Sequence, residues 1–291
     1  MRPLLERIVD DAALFPPTRK PMEPALAAYR EAAGHPVVGR FLCPASRIAE
    51  LRRLLIPEDL LDLGLVADTA LEDLPAALEA ARREPRVRLR SVRVGLAPGA
   101  DQARAAAVAV ARLPADLPCL IVQIRQTPGW REALDRLAAA RGSGARLAAE
   151  FRVGGPWGDD VPGGGEADGE YAPSPAQVAA FMTACAERGL PFTCMAGEYH
   201  TVRRVDPATG AARHGFLNLL VAACRARSDP SDPTAVAEAV ASADRAALAA
   251  EAAGADGRAV RRLFVAFGCC DIDTPRAELI KFGPVGEDTV A

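Results

Sequence analysis

The sequence predicts an α/β protein, a single (β/α)8 TIM-type barrel spanning residues 1–291. Short apolar runs rich in β-branched residues alternate with helical patterns rich in Ala, Leu and Arg. Five successive runs start 25–29 residues apart, which is the length of one strand, one helix and two short loops. The first run is not followed by GxGxxG, the pattern typical of an open dinucleotide-binding sheet. These observations favour a closed barrel over an open sheet.

Seven strands can be assigned from these runs. They cover residues 37–44, 62–68, 91–96, 119–126, 145–155, 191–197 and 262–271. The eighth strand is expected in or near residues 254–260, within an irregular seventh unit. Residues 1–34 are expected to form an N-terminal helical extension in which DDAALFPP is a solvated turn. The alternative is that Asp10, Asp11 and Phe15-Pro16-Pro17 fold over the mouth of the barrel. The segment 154–173 is rich in Gly, Pro and acidic residues and is expected to be a flexible, lid-like loop.

The composition indicates a soluble protein whose partner is a small molecule. A net charge of -3 gives no general attraction to nucleic acid or to an anionic membrane. No apolar run is long enough for a transmembrane helix or a signal peptide, so we expect a cytoplasmic protein, with a homo-oligomer possible. The seven cysteines form no CxxC pair, and buried thiols are expected rather than disulfides or a structural zinc site.

Lysine usage excludes one class of mechanism. The chain has two lysines, Lys20 in a proline-rich N-terminal loop and Lys281 near the end of the last predicted helix. Neither is expected at the end of a barrel strand, where a Schiff-base lysine is normally found. Imine chemistry is therefore disfavoured.

Polar residues near the ends of the predicted strands indicate an anion site. Because strand side chains alternate, Gln123 shares a face with Arg125, and Glu150 shares a face with Arg152. Together with Arg93, these arginines could form a fork-shaped receptor for a carboxylate or phosphate. The alternative is that the arginines point outward and pair with helix residues.

A Gly-Gly pair follows the fifth predicted strand. Gly154 and Gly155 would allow the backbone to approach a bound anion closely, or they could simply form the hinge of the long loop.

Two of the three histidines fall within residues 197–215. Glu198 and His200 follow the sixth predicted strand. His214 opens a helix, with Asn218, an expected substrate contact, one turn later on the same face. We expect His200 or His214 to act as general acid/base, with Glu198 as partner. For each histidine alone, a surface or capping role is the alternative.

The last predicted strand ends in further polar groups. Asp271 could orient a histidine or bind a hydroxyl, Asp273 is expected to cap a helix, and Cys270 is expected to be a packing residue. A metal site could use His200, His214, Glu198 and Asp271 as ligands. No close pair such as HxH or HExxH is present, so no cofactor is predicted, with a divalent metal possible.

The sequence resembles a group of bacterial, chiefly actinobacterial, barrel-like proteins. The similar pieces are VDDAALFPP (9–17), GRFLCPASRI (39–48), FRVGG (151–155), GLPFTCMAGEYH (189–200), HGFLNLLVAA (214–223) and FGCCDIDTP (267–275). The usual pattern of the group has lysines at the places of Glu150 and Thr193, and a His-His pair at Tyr199 and His200. The resemblance implies one barrel whose loops form a site, and it implies no substrate.

Three functions are compatible with this sequence. The first is an isomerase or lyase that acts on a small anionic metabolite by acid/base proton transfer, without a Schiff-base lysine. The second is a metal-dependent hydrolase or lyase in which His200 and His214 are ligands. The third is a ligand-binding barrel without catalysis.

Overall fold

The computed structural model describes residues 2–97, 99–157, 169–170, 172–195, 200–205 and 212–280. Eight parallel strands form a closed barrel in which each strand pairs with the next and the last pairs with the first. The strands are β1 (Val9–Asp11), β2 (Val38–Pro44), β3 (Leu61–Val66), β4 (Val87–Gly95), β5 (Leu120–Gln123), β6 (Leu147–Arg152), β7 (Phe192–Met195) and β8 (Phe264–Cys269). The predicted barrel is confirmed.

Helices surround the barrel. They are α1 (Arg2–Leu5), α2 (Met22–Ala32), α3 (Ile48–Leu54) after the 3-10 turn Ala45–Arg47, α4 (Leu74–Arg82), α5 (Gln102–Arg112), α6 (Trp130–Gly142), α7 (Pro175–Glu187), α8 (Phe216–Ser228), α9 (Pro233–Ala241), α10 (Arg245–Gly254), α11 (Gly257–Leu263) and α12 (Asp273–Ile280). Of the helices described, none is both long and apolar enough to cross a bilayer.

The main apolar core lies between the strands and the helices. Side chains that alternate outward from the strands pack against it, as where Phe151 of β6 stacks on Phe181 of α7 with ring centroids 4.7 Å apart. Helix starts are set locally: the Ser174 hydroxyl accepts a hydrogen bond from the Gln177 amide, and the Gln177 side chain completes a capping box that begins α7.

The eighth barrel strand is β1, and its predicted position was wrong. Residues 254–260 belong to the end of α10 and to α11, whereas β1 lies between β8 and β2, with Val9 opposite both Phe267 and Val38. The expectation of a solvated turn over DDAALFPP is also wrong for its first residues, because Asp10 and Asp11 are 0% and 1% exposed. The N-terminal segment therefore supplies a wall of the barrel.

Asp10 is buried because it belongs to an ionic cluster inside the barrel, formed by Asp10, Arg40, Arg93 and Glu150. Arg93 donates from Nη2 to Asp10 Oδ2 at 2.6 Å and from Nε to Glu150 Oε2 at 2.9 Å. Arg40 Nη2 lies 2.7 Å from the same Asp10 oxygen. Two guanidiniums thus balance two carboxylates, as buried charges require.

The pKa values within this cluster follow from the pairing. Burial alone would raise the pKa of Asp10, but the guanidiniums of Arg40 and Arg93 hold it below the usual range. Burial alone would lower the pKa of Arg93, but the two carboxylates raise it above its usual value. Asp10 and Arg93 are therefore both charged at neutral pH.

Candidate functional site

Two arginines lie near the C-terminal ends of neighbouring strands. Gln123 is opposite Glu150 in the register and donates from Nε2 to Glu150 Oε1 at 3.3 Å. Arg125 and Arg152 each lie two residues further along, so side-chain alternation places them one layer nearer the mouth. They are 8% and 5% exposed. The Arg125 amide donates to Gln102 Oε1 at 3.1 Å, which holds the chain as it leaves β5.

Arg93 was predicted to form an anion receptor together with Arg125 and Arg152, and the structure does not place it beside them. It lies deeper, in the ionic cluster, where it pairs with Asp10 and Glu150. It does not point outward to the helices either, since its side chain is 3% exposed. Glu150 accepts hydrogen bonds from Arg93, Gln123 and Thr193, so its carboxylate is already used within the barrel. These contacts assign Arg93 and Glu150 to the interior of the barrel, below the mouth.

An apolar surface also lies toward the mouth. It is a cluster separate from the main core and consists of Ala12, Leu42, Val66, Phe15 and Met195. A Cβ at Gly268 would overlap the sulfur of Met195 and would lie 3.6 Å from Leu42 Cδ1. Gly268 therefore makes the space that Met195 occupies. The inner face near the mouth thus combines basic and apolar side chains.

His200 is paired with a carboxylate that the sequence did not indicate. Its Nδ1 lies 3.4 Å from Glu278 Oε1, and the His200 side chain is 29% exposed. Glu278 Oε2 accepts hydrogen bonds from the Thr201 amide, at 2.6 Å, and from the Thr201 hydroxyl. Burial alone would raise the pKa of Glu278, but these hydrogen bonds and His200 hold it below the usual range. Glu278 is therefore an ionised partner for His200.

The start of α8 positions the His200 segment. The amides of Phe216 and Leu217 donate to the carbonyl oxygens of His200 and Thr201, at 3.1 and 2.9 Å. Gly215 permits this contact, because a Cβ there would lie 2.5 Å from the Thr201 oxygen. Glu198, the predicted partner of a histidine, lies outside the described residues.

His214 and Asn218 hold neighbouring segments together. His214 is 1% exposed, its Nε2 lies 2.6 Å from the Pro173 carbonyl oxygen, and burial lowers its pKa. The Asn218 Oδ1 accepts from the Arg203 amide at 2.7 Å, and its Nδ2 donates to two carbonyl oxygens at the end of α9, at 2.8 and 2.7 Å. Asn218, predicted as a substrate contact, is fully committed to the loop and to α9.

Asp271 has a capping role rather than the predicted contact with a histidine. Its Oδ1 accepts from the Asp273 amide at 3.0 Å, and its Oδ2 accepts from the Thr274 hydroxyl at 2.8 Å. The capping role expected of Asp273 thus falls to Asp271, while Asp273 is the first residue of α12 and pairs with Arg276 at 3.0 Å.

Asp11 is a titratable group to which the sequence analysis assigned no chemical role. It ends β1, and its Oδ1 accepts from the Ala13 amide at 2.8 Å. Its Oδ2 is buried and has no hydrogen-bond partner among the described residues. Burial raises the pKa of Asp11 to about 7, and the nearby carboxylates of Asp273 and Asp271 act in the same direction. Asp11 can therefore change its charge near neutral pH.

The long loop begins at a glycine with a left-handed backbone conformation. Gly155 has a φ of 86°, a left-handed conformation that glycine adopts without the penalty of a side chain. Beyond Gly154 and Gly155, Pro156–Trp157 pairs with Gly169–Glu170 as a short antiparallel ribbon. The rest of the predicted lid-like loop, residues 158–168 and 171, lies outside the described part of the chain.

Comparison with known proteins adds no assignment to this geometry. Within the described ranges, no group of three or more His, Cys, Asp or Glu side chains is arranged to hold a metal ion. The chain matches no protein-family model, and a search of curated proteins gives no match.

Proposed function

We propose that the protein is an enzyme that moves a proton on a small anionic metabolite, as an isomerase or a lyase. The observation that carries this proposal is the pairing of His200 with Glu278 on loops and helices that follow β7 and β8. TIM-barrel enzymes have their active sites at this end of the barrel. A carboxylate that contacts one ring nitrogen orients the imidazole, and the other ring nitrogen is the one that transfers a proton.

Arg125 and Arg152 are the proposed binding groups for the anion. Both guanidiniums lie above the layer in which Gln123 contacts Glu150, and both are buried enough to act in a medium of reduced dielectric constant. A planar guanidinium can bind a carboxylate or phosphate through two parallel hydrogen bonds. Two such groups would fix the orientation of the metabolite.

The proposed reaction begins with neutral His200 donating Nδ1–H to Glu278. Its Nε2 takes a proton from the carbon next to a carboxylate of the substrate, and the bonding electrons move onto the carboxylate oxygens. Arg125 and Arg152 stabilise the charge that develops there, while ionised Glu278 stabilises the imidazolium. An isomerase returns the proton to a neighbouring atom, whereas a lyase uses the electron pair to expel a leaving group.

The metal-dependent alternative would require His214 to bind the metal through Nδ1. Its Nε2 is engaged by the Pro173 carbonyl oxygen at 2.6 Å, and its ring is buried. Joint ligation with His200 would use His214 Nδ1, which is buried and has no hydrogen-bond partner among the described residues, while Nε2–H still donates to that carbonyl. We also propose a cytoplasmic location, supported by seven free cysteines, which suit a reducing compartment.

Solvent deuterium exchange tests the proposal without knowledge of the net reaction. A panel of small carboxylates and phosphate esters is incubated with the protein in D2O, and loss of carbon-bound proton signals is followed by NMR. We expect exchange into at least one compound, and His200→Ala should slow it by roughly 100-fold or more. His35→Ala is the matched control, because His35 lies before β2 at the opposite end of the barrel.

The same experiment separates the alternatives. A protein that binds an anion through Arg125 and Arg152 but exchanges no proton would be the non-catalytic barrel. Exchange that survives in His200→Ala would reject His200 as the base. Exchange that disappears on chelation and returns with a divalent metal would support the metal-dependent alternative.

A further inference from the structure

A cavity lies at the opposite end of the barrel from the proposed active site. It has a volume of about 680 Å³ and is lined by residues that precede β1 and β2 and by residues of α11, which leads into β8. These positions surround the N-terminal ends of three neighbouring strands. The volume falls within the range of roughly 300–1,000 Å³ that is usual for small-molecule sites.

The described lining of this cavity is strongly basic. It includes Arg7, Arg258, Arg261 and Arg262, and Glu6 is its one acidic side chain. This excess of positive charge is set in a chain whose net charge is -3. The N-terminal end of a barrel usually contributes to stability, but a group of like charges repels itself and is a poor stabilising device. A negatively charged ligand would reduce the repulsion among the arginines that line the cavity.

Two of these arginines have no carboxylate partner in the part of the chain that the structure describes. Arg258 and Arg262 are exposed and lie four residues apart, so they share one face of α11. Arg7, in contrast, pairs with Asp62. The guanidiniums of Arg258 and Arg262 are thus available to a ligand.

Arg261 adds a buried positive charge that only carbonyl groups contact. Its Nη1 donates to the Phe264 oxygen at 2.6 Å and to the Val265 oxygen, and its Nη2 donates to the Glu6 oxygen at 3.1 Å. Burial lowers the pKa of Arg261 to about 10, although the Asp10 carboxylate of the ionic cluster acts in the opposite direction. An anion in the cavity would relieve this unfavourable charge.

We propose that this cavity binds a phosphorylated small molecule, with the phosphate on Arg258 and Arg262 and the apolar part against Pro3 and Pro36, the apolar lining residues that solvent can reach. A phosphate group fits better than a single carboxylate, because it carries up to two negative charges and several acceptor oxygens. The acidic net charge and the concave shape favour a small molecule over nucleic acid. The proposal is independent of the proposed function, since the two sites occupy opposite ends of the barrel.

Isothermal titration of the full chain with pyrophosphate and with ADP tests this inference. Pyrophosphate supplies charge alone, whereas ADP adds a ring that can contact the apolar lining. We expect one equivalent of each to bind, with ADP the tighter ligand. The double variant Arg258→Ser, Arg262→Ser should bind both about 100-fold more weakly, because each arginine supplies charge-assisted hydrogen bonds. Circular dichroism would establish that this variant with two exposed substitutions is folded.

Two single variants locate the bound anion. Arg136→Ser removes an exposed arginine on α6, away from the cavity lining, and should leave binding unchanged. An equal loss of affinity in Arg136→Ser would mean non-specific attraction and would overturn the proposal. Binding that persists in the double variant but is lost in Arg125→Ser would assign the anion to the other end of the barrel and would overturn it too. ADP that binds no tighter than pyrophosphate would refute the apolar contact.

Discussion

Replacement of Arg93 by methionine should be among the most destabilising single changes on β4. Arg93 is buried and bridges Asp10 and Glu150, at 2.6 and 2.9 Å. Methionine fills much of the same volume but carries no charge. In the variant, the carboxylates of Asp10 and Glu150 stay buried, and Arg40 is the one guanidinium of the ionic cluster that remains to balance them. Breaking a buried ion pair by removing one partner costs about 3–5 kcal/mol. We expect a loss of that size in the free energy of unfolding at pH 7.

Arg90 provides the matched control on the same strand. It pairs with Asp62 at 2.6 Å, but its side chain is 50% exposed. Exposed ion pairs contribute about 0–1 kcal/mol, so Arg90→Met should cost far less than Arg93→Met. Urea denaturation followed by circular dichroism measures both variants against the wild type.

The pH dependence gives a second test of the same explanation. The pKa of Asp10 is lowered in the folded protein, so its contribution to stability is present above the unfolded value of 3.8 and is lost as the pH falls through the lower folded value. The difference between wild type and Arg93→Met should therefore be largest at neutral pH and shrink in acid. Adding Glu150→Gln should recover part of the loss by removing the unpaired charge. Equal costs for Arg93→Met and Arg90→Met would refute the explanation.

Three further substitutions probe other parts of the structure. Gly215→Ala should lower the free energy of unfolding, measured by urea denaturation, by about 1–3 kcal/mol, because its Cβ would overlap the 201–202 backbone. Gly254→Ala is the control: its Cβ meets open space, and the free energy of unfolding should change by less than about 1 kcal/mol. Asp11 has a folded pKa of about 7 against 3.8 unfolded, so wild-type stability should fall by up to about 4 kcal/mol between pH 4 and 8. Asp11→Asn should flatten that dependence, and an unchanged slope would contradict the burial argument. Glu278→Gln should cost about 1–3 kcal/mol at neutral pH, and the difference should vanish as the pH falls through the lowered pKa of Glu278.

Sequence patterns predicted seven of the eight strands because each is a local apolar run. β1 was missed because its pattern is short and carries two adjacent carboxylates, which is typical of a solvated turn. Asp10 is buried only because Arg40 and Arg93 come from other strands to neutralise it. Periodicity along one segment contains no information about such distant partners.

The same limitation applies to the site. The strand ends indicated Arg125 and Arg152, because side-chain alternation and the barrel fold are enough to place them. Arg93 and Glu150 were expected to bind substrate, but without Asp10 as a known barrel residue their mutual pairing could not be foreseen. Glu278 was missed because α12 brings it to His200 across 78 residues of sequence.

The position of β1 has a consequence for how the chain folds during synthesis. β1 is made first and can pair with β2 early, but its other neighbour, β8, is made about 250 residues later. Until β8 is complete, the outer edge of β1 has no strand to pair with and the barrel remains open. Closure of the barrel therefore requires the first and last strands along the chain to meet. A chain shortened to begin at residue 35 would lack that closing strand, and Arg40 and Arg93 would lose the Asp10 carboxylate they share.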